Sequence, residues 1–335
     1  MIPEAVDTAL DATAMVGTFI RRMREEIGES DVIIKGDESP VTIVDVAAQV
    51  LMRINLEEDV RVPALPMCGE ESREILLHPD SERFRSRVLE LVQAEKPSIG
   101  DAEMRSLLDR GSYRAEAGSE GTFWICDPID GTRRYLSGHR YSSCLALLLD
   151  GCLACGAIAC PDLGAGPDDP VEARSDHGSL YCAVAGGGAH AIEGLDTGSS
   201  GRRTRLRLPD RSDRDPVVRV ARSVGSSDLR PKHVWDVLEA NGAVLRTVPI
   251  DNQCKYVALA TNRVDCLYKH AGSPDSEPGW VWDFAPGVLL ASESGAEVHD
   301  RDGRPFDFDQ GPKLLRNRGL AANGPGIRGF FSTVG

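Results

Sequence analysis

The sequence predicts an α/β protein with an α+β N-terminal part. Three features lead there: an opening amphipathic helix, a strand-rich middle with a tight hairpin signal, and strands alternating with helices beyond Gly178. Such alternation lays helices on the faces of a sheet.

Val6, Ala9, Leu10, Ala12, Val16, Phe19, Ile20, Met23 and Ile27 recur at three- and four-residue steps, the mark of a helix with one buried face. A loop is expected from Gly28 to Pro40, then a helix over Asp45–Leu56 and another marked by Phe84, Val88, Leu91 and Val92. Phe123–Ala159 reads as a strand, an acidic turn, a short helix and a hairpin. Asp150-Gly151 sits between two apolar runs there and favours a type I′ turn. Gly164–Gly178, rich in Gly, Pro and Asp, is the expected connection between domains 1–163 and 164–335. Thr197–Arg203 is expected to be an exposed loop. Arg202, Arg203, Arg205 and Arg207 read as solvated charges on an edge strand. Strands follow at Val217–Ala221, Val244–Val248 and Val264–Tyr268, with helices at Pro231–Ala240, Asn252–Thr261 and Asp283–Ser294.

At 335 residues, 41% hydrophobic and 27% charged, the composition is that of a globular protein. A net charge of −14 argues against a nucleic-acid polymer as partner. It does not exclude a small phosphorylated substrate, because bound cations reverse the local field. Nine cysteines without a framework, no secretory pattern at the start and no long uncharged apolar run point to a cytoplasmic protein without a membrane anchor. Cys152-x-x-Cys155 would not share a strand face, so packed thiols are preferred to zinc. Gly186-Gly187-Gly188 lacks the Lys-Ser/Thr of a P-loop and reads as structural. Neither a Gly-x-Ser-x-Gly elbow nor histidines at ligand spacing occur, which removes serine and zinc hydrolases.

The chemistry gathers in three acidic stretches: Gly69-Glu70-Glu71-Ser72, Asp127-Pro128-Ile129-Asp130-Gly131-Thr132 and Trp282-Asp283-Phe284-Ala285-Pro286-Gly287. Carboxylates so grouped suit hard divalent ions, which take oxygen ligands and leave room for water and phosphate. Each has a plainer alternative: a solvated acidic turn at Glu70-Glu71, an Asp-rich turn capping a helix at Asp127–Asp130, and an N-cap at Asp283.

These stretches resemble the inositol monophosphatase superfamily of Mg²⁺-dependent, often lithium-sensitive phosphatases. Lys35-Gly36-Asp37-Glu38-Ser39-Pro40-Val41-Thr42, Asp45, Gly121-Thr122-Phe123-Trp124, Cys144-Leu145-Ala146-Leu147, Cys160-Pro161 and Asp251-Asn252-Gln253-Cys254-Lys255-Tyr256 narrow the likeness to the 3′(2′),5′-bisphosphate nucleotidases. The resemblance implies a layered α-β-α-β-α sandwich and two or three Mg²⁺ ions, with Li⁺ and Ca²⁺ inhibitory. It makes Glu70, Asp127, the Ile129 carbonyl, Asp130 and Asp283 metal ligands, with Glu71 behind them and Asp37 near a third, weaker ion. Asp45, Glu70 and Thr132 become catalytic, with Asp45 and Thr132 orienting the attacking water; Thr42 is left as a helix cap. The implied reaction is in-line attack by metal-bound water on a phosphate monoester, without a phosphoenzyme.

Gly131, Thr132, Arg133, Arg134, Ser226, Asn252, Lys255 and Lys269 are the expected substrate contacts. The chain departs from the nucleotidases at Arg133-Arg134-Tyr135, where they carry Lys-Gly-Phe, and at Gly225, Asn252 and Lys269. Two guanidiniums there would clamp a second phosphate, or else lie solvated on a helix face. The expected activity is removal of the 3′-phosphate of 3′-phosphoadenosine 5′-phosphate or a related nucleotide. The alternatives are an inositol monophosphatase-type or other sugar or nucleoside phosphatase, and a non-catalytic metal- or nucleotide-binding regulator. The oligomeric state is left open.

Overall fold

The computed structural model describes residues 1–77, 81–118, 120–165, 173–210, 216–223, 232–269 and 278–327. Helix α1 (Ile2–Met23) is followed by β1 (Val32–Ile34), β2 (Pro40–Thr42) and α2 (Ile43–Glu58). Next come β3 (Met67–Gly69), α3 (Ser81–Glu95), α4 (Asp101–Arg110), β4 (Phe123–Asp130), α5 (Thr132–Leu136), β5 (Ser142–Leu149) and β6 (Cys152–Cys160). Strands β7 (Ser179–Val184), β8 (Gly188–Glu193), β9 (Thr204–Leu206) and β10 (Val217–Arg222) precede α6 (Lys232–Ala240), β11 (Val244–Pro249) and α7 (Cys254–Ala260). The chain ends with β12 (Cys266–Lys269), α8 (Ala285–Glu293), β13 (Glu297–His299) and β14 (Leu320–Asn323).

Strands β3 to β9 form a seven-stranded sheet in sequence order, and a five-stranded sheet runs β11-β10-β12-β14-β13. Alternation along β4 sends Trp124 and Cys126 into a core shared with α1 and α2, and Phe123 and Ile125 into one shared with α7 and α8. The second core also takes Ala221, Leu267 and Ala322 from the five-stranded sheet, whose far face (Val218, Val220, Cys266) packs on Leu238 of α6. The layers are therefore α-β-α-β-α, with α7 and α8 between the sheets. The Asp150-Gly151 turn has both residues at positive φ, 49° and 75°, and joins Leu149 to its partner Cys152.

Four expectations are corrected. The Gly28–Pro40 loop contains an antiparallel pair, β1–β2, whose three-residue strands are too short to show a period. The connection expected at Gly164–Gly178, partly outside the described residues, joins two antiparallel neighbours of one sheet. The sheets divide instead between β9 and β10. Thr197–Arg203 is not a free loop. A 3₁₀ turn over Leu195–Ser200 seats on α1, where Asp11 accepts from the Ser199 amide (2.7 Å) and hydroxyl (2.9 Å). The arginines at β9 are exposed on an edge strand, as expected, and two of them also find partners: Arg203 pairs with Asp7, and Arg205 donates to the Gly187 carbonyl at 3.0 Å. Cys152 and Cys155 do not take opposed faces: a register shift pairs them with Leu149 and Leu147, which share a face of β5, although Cys152 at the strand's start is exposed and Cys155 is buried. Among the described residues, no helix is long and apolar enough to cross a membrane.

Candidate metal and phosphate site

Each acidic stretch lies where a strand or helix ends. Glu70 and Glu71 follow β3, Asp127 and Asp130 close β4 across a register shift, and Asp283 precedes α8 in a short 3₁₀ turn. The cap residue of α8 is Phe284, so Asp283 is not that helix's N-cap.

The carboxylates act on one another. Burial, then Glu70, Asp130, Asp283 and Asp45, push the Asp127 carboxyl well above its ordinary range. Burial and Asp283 raise Asp130 to about 7, and burial and Glu70 raise Glu71 to about 8. Glu70 is raised by burial as well, and further by Asp283 and Asp45 against the pull of Lys35. Distant segments thus converge on one acidic centre.

Protein cations and donors engage its rim. Lys35 Nζ lies 3.2 Å from Glu70 and 2.8 Å from Glu71. Burial pulls the Lys35 ammonium down, but the two glutamates outweigh it and hold it above its usual value. Lys269 Nζ stands 3.4 Å from Asp283 and over the Phe284 ring, while Asp130 accepts the Gln253 amide. With side chains turned to these partners, no three Asp, Glu, His or Cys among the described residues stand ready-spaced around one ion.

The residues nonetheless fit a hard divalent cation. Asp127 is 2% exposed, and its Oδ1 is buried without a hydrogen-bond partner among the described residues. Such an orphaned carboxylate oxygen among other carboxylates is costly unless a cation neutralises it. The donor set is all oxygen, the preference of Mg²⁺ rather than zinc.

Beside this centre sits a buried hydroxyl–carboxylate pair. Thr132 Oγ1 lies 2.9 Å from Asp45 Oδ1 and 3.2 Å from the Ile129 carbonyl. Asp45 Oδ2 accepts from the Thr42 amide at 2.8 Å and from its hydroxyl, while Thr42 Oγ1 accepts from the Val44 and Asp45 amides. This capping box both starts α2 and fixes Asp45. Burial raises the Asp45 carboxyl, with the threonine donors opposing the rise.

Gly131, at φ 93°, turns β4 into the five-residue α5. The two arginines that follow diverge instead of forming a twin clamp: Arg133 donates to the Glu38 carbonyl, and Arg134 Nε pairs with Asp251 Oδ2 at 2.9 Å. Asn252 supports the backbone, donating to the Arg140 carbonyl at 2.7 Å and accepting the Cys254 amide at 2.9 Å. Lys255 Nζ reaches Ser223 Oγ at 3.1 Å, its ammonium lowered first by burial and then by Lys269. Asp37 is exposed and bonds Ser39. Ser226 and Gly225 lie outside the described residues.

Two glutamines escaped the sequence reading. Gln253, 1% exposed, donates to the Trp282 carbonyl (2.8 Å) and accepts the Gly287 amide (2.9 Å), tying the Asp130 turn to the Asp283 turn. Gln49 on α2, also buried, donates to the Glu71 carbonyl (2.6 Å) and accepts its amide (2.8 Å). For Gln49 the signal was a lone amide amid apolar residues; Gln253 stood within the Asp251–Tyr256 stretch among polar neighbours, with nothing local to mark its role.

A model described as the inositol monophosphatase family matches residues 3–327. The chain is 28% identical to "Probable 3′(2′),5′-bisphosphate nucleotidase 4" of Arabidopsis thaliana, covering 94% of this chain and 89% of that protein. It is 30% identical to the 3′(2′),5′-bisphosphate nucleotidase of Schizosaccharomyces pombe, covering 98% and 92%. The solved structure of CysQ from Bacteroides thetaiotaomicron, described as a bacterial member of the inositol monophosphatase family, shares the fold. Its TM-score is 0.61 at 20% identity, covering 95% of this chain and 96% of that one.

Proposed function

The chain belongs to the inositol monophosphatase family, and we propose that it is a Mg²⁺-dependent phosphatase acting on 3′-phosphoadenosine 5′-phosphate or a close relative. The observation that carries this is the orphaned Asp127 oxygen among buried carboxylates, beside the Thr132–Asp45 pair. Names of the similar nucleotidases support the choice of substrate, and nine free thiols accord with a cytoplasmic setting.

Glu70, Asp127, the Ile129 carbonyl, Asp130 and Asp283 are the groups we assign to Mg²⁺. When bound, it lowers the pKa of a coordinated water and draws charge from the phosphate and the leaving oxygen. The protein's own share begins with Thr132. Because its hydroxyl hydrogen points to Asp45, its oxygen can accept a proton from the attacking water as its own proton passes to Asp45. Thr42 keeps Asp45 facing that hydroxyl. As the new P–O bond forms, the ester bond to the 3′-oxygen breaks; the nucleotide alcohol takes a proton from solvent and inorganic phosphate leaves. The Gly131 and Thr132 amides, where α5 begins, are assigned to phosphate oxygens.

The test is phosphate release from adenosine 3′,5′-bisphosphate (the same nucleotide), adenosine 3′-monophosphate and inositol 1-phosphate, with and without Mg²⁺ and Li⁺. Mg²⁺-dependent turnover of the nucleotides is expected. Turnover of inositol phosphate alone would transfer the assignment to an inositol phosphatase, and nucleotide binding without turnover would indicate a regulator.

A further inference from the structure

The loop 251–253 docks across the start of α5 at three points. Gln253 gives its amide to Asp130. Asn252 packs so closely on Gly131 that a Cβ there would meet its Nδ2 at 2.8 Å. Asp251 takes the Arg134 guanidinium. Gln253 is buried, whereas Arg134 and Asp251 keep 24% and 15% of their side-chain surface. That third contact can therefore open while the other two hold the loop. Leaving a mostly buried guanidinium without an anion would be costly, so Arg134 leaves Asp251 only where another anion takes its place.

A second cation acts on the same carboxylate. Lys255, anchored near Ser223, acts electrostatically on Asp251, Asp130 and Asp283. Arg134 and Lys255 thus both act on Asp251, two residues from the Gln253 amide that meets Asp130. A phosphate dianion matches the guanidinium fork and carries more charge than the Asp251 carboxylate. A substrate with a single phosphate at the metal centre offers nothing to draw Arg134 away.

We propose that Arg134 is a specificity-determining residue: it exchanges Asp251 for a second phosphate on the substrate, gripped jointly with Lys255, and so selects bisphosphorylated nucleotides over monophosphates. The assignment rests on the phosphatase reading above. Holding Arg134 at Asp251 beforehand fixes the guanidinium against the loop that carries Gln253, which limits the ordering cost when phosphate arrives.

The experiment compares the wild type with Arg134→Gly and Arg134→Lys, measuring kcat/KM for adenosine 3′,5′-bisphosphate and for adenosine 3′-monophosphate in Mg²⁺. In Arg134→Gly the bisphosphate-to-monophosphate ratio is expected to fall roughly 10–100-fold, mainly through KM, with Arg134→Lys between. Calorimetric binding of adenosine 5′-monophosphate, which carries only the second phosphate, should weaken by a similar factor. An unchanged ratio or unchanged binding in folded Arg134→Gly overturns the proposal. If the wild type releases phosphate from no ester, the phosphatase reading falls, and the adenosine 5′-monophosphate titration alone decides Arg134.

Discussion

Gln253→Ala removes two hydrogen bonds that the surroundings cannot remake. The side chain is 1% exposed and joins the Trp282 carbonyl to the Gly287 amide. Gly287 lies in the first turn of α8, where backbone amides have no partner within the helix. Each buried group stranded costs about 1–3 kcal/mol, and the lost amide also leaves a small void, so the total is roughly 3–6 kcal/mol. Against a typical stability of about 5–15 kcal/mol, that is a large fraction. Asp283 sits between the two released groups and loses its fixed position, so Mg²⁺-dependent stabilisation should shrink too. Gln253→Glu retains an acceptor for Gly287 but faces the Trp282 carbonyl without a donor, so an intermediate loss is expected. Urea denaturation with and without Mg²⁺ measures both effects. A loss under about 1 kcal/mol, with Mg²⁺ stabilisation intact, would refute the claim that Gln253 joins the two turns.

Asp127→Asn should abolish Mg²⁺-dependent phosphate release while raising the melting temperature of the metal-free protein, since it removes a carboxylate crowded by Glu70, Asp130 and Asp283; retained turnover would count against the metal assignment. Asp130 at about 7 and Glu71 at about 8 lie above their unfolded values near ~4. The folded state therefore binds those protons more tightly, and this stability is full below about pH 4 and is lost progressively as pH rises from there to the folded values of about 7 and about 8. Metal-free melting temperatures should fall across that window and fall less with Mg²⁺; a rise would contradict the cause given. Gly131→Ala forces a side chain into a φ of 93° and against Asn252 Nδ2, and should cost about 1–3 kcal/mol by chemical denaturation while slowing turnover.

Chemistry that is local in sequence was legible. Asp-Pro-Ile-Asp-Gly-Thr announces itself because six adjacent residues hold its carboxylates, turn and hydroxyl, and β4 to β6 show in their alternation and in Asp150-Gly151. Contacts made between distant residues were not. Gln253 matters through Trp282 and Gly287, Gln49 through Glu71, and Arg133 and Arg134 part because their acceptors, Glu38 and Asp251, come from segments far apart in the chain. The division of the sheets was hidden for a similar reason: a Gly- and Pro-rich connection looks alike whether it joins neighbouring strands or separate sheets. Helix α4 turns only Met104, Leu107 and Leu108 inward, too few to stand out as a run.

Helix α8 is clamped at both extremities. Gln253 holds its first turn, and at its far end the Glu293 carboxylate accepts the Gly186 and Gly188 amides, at 2.7 and 2.8 Å, from the turn between β7 and β8. Mechanically it is a short bar, one tip beside Asp283 and the other gripping a solvent-facing glycine bend. A spectroscopic label on that bend would stand remote from the reacting groups yet remain wired to them, offering a vantage from which cation loading is watched without disturbing it.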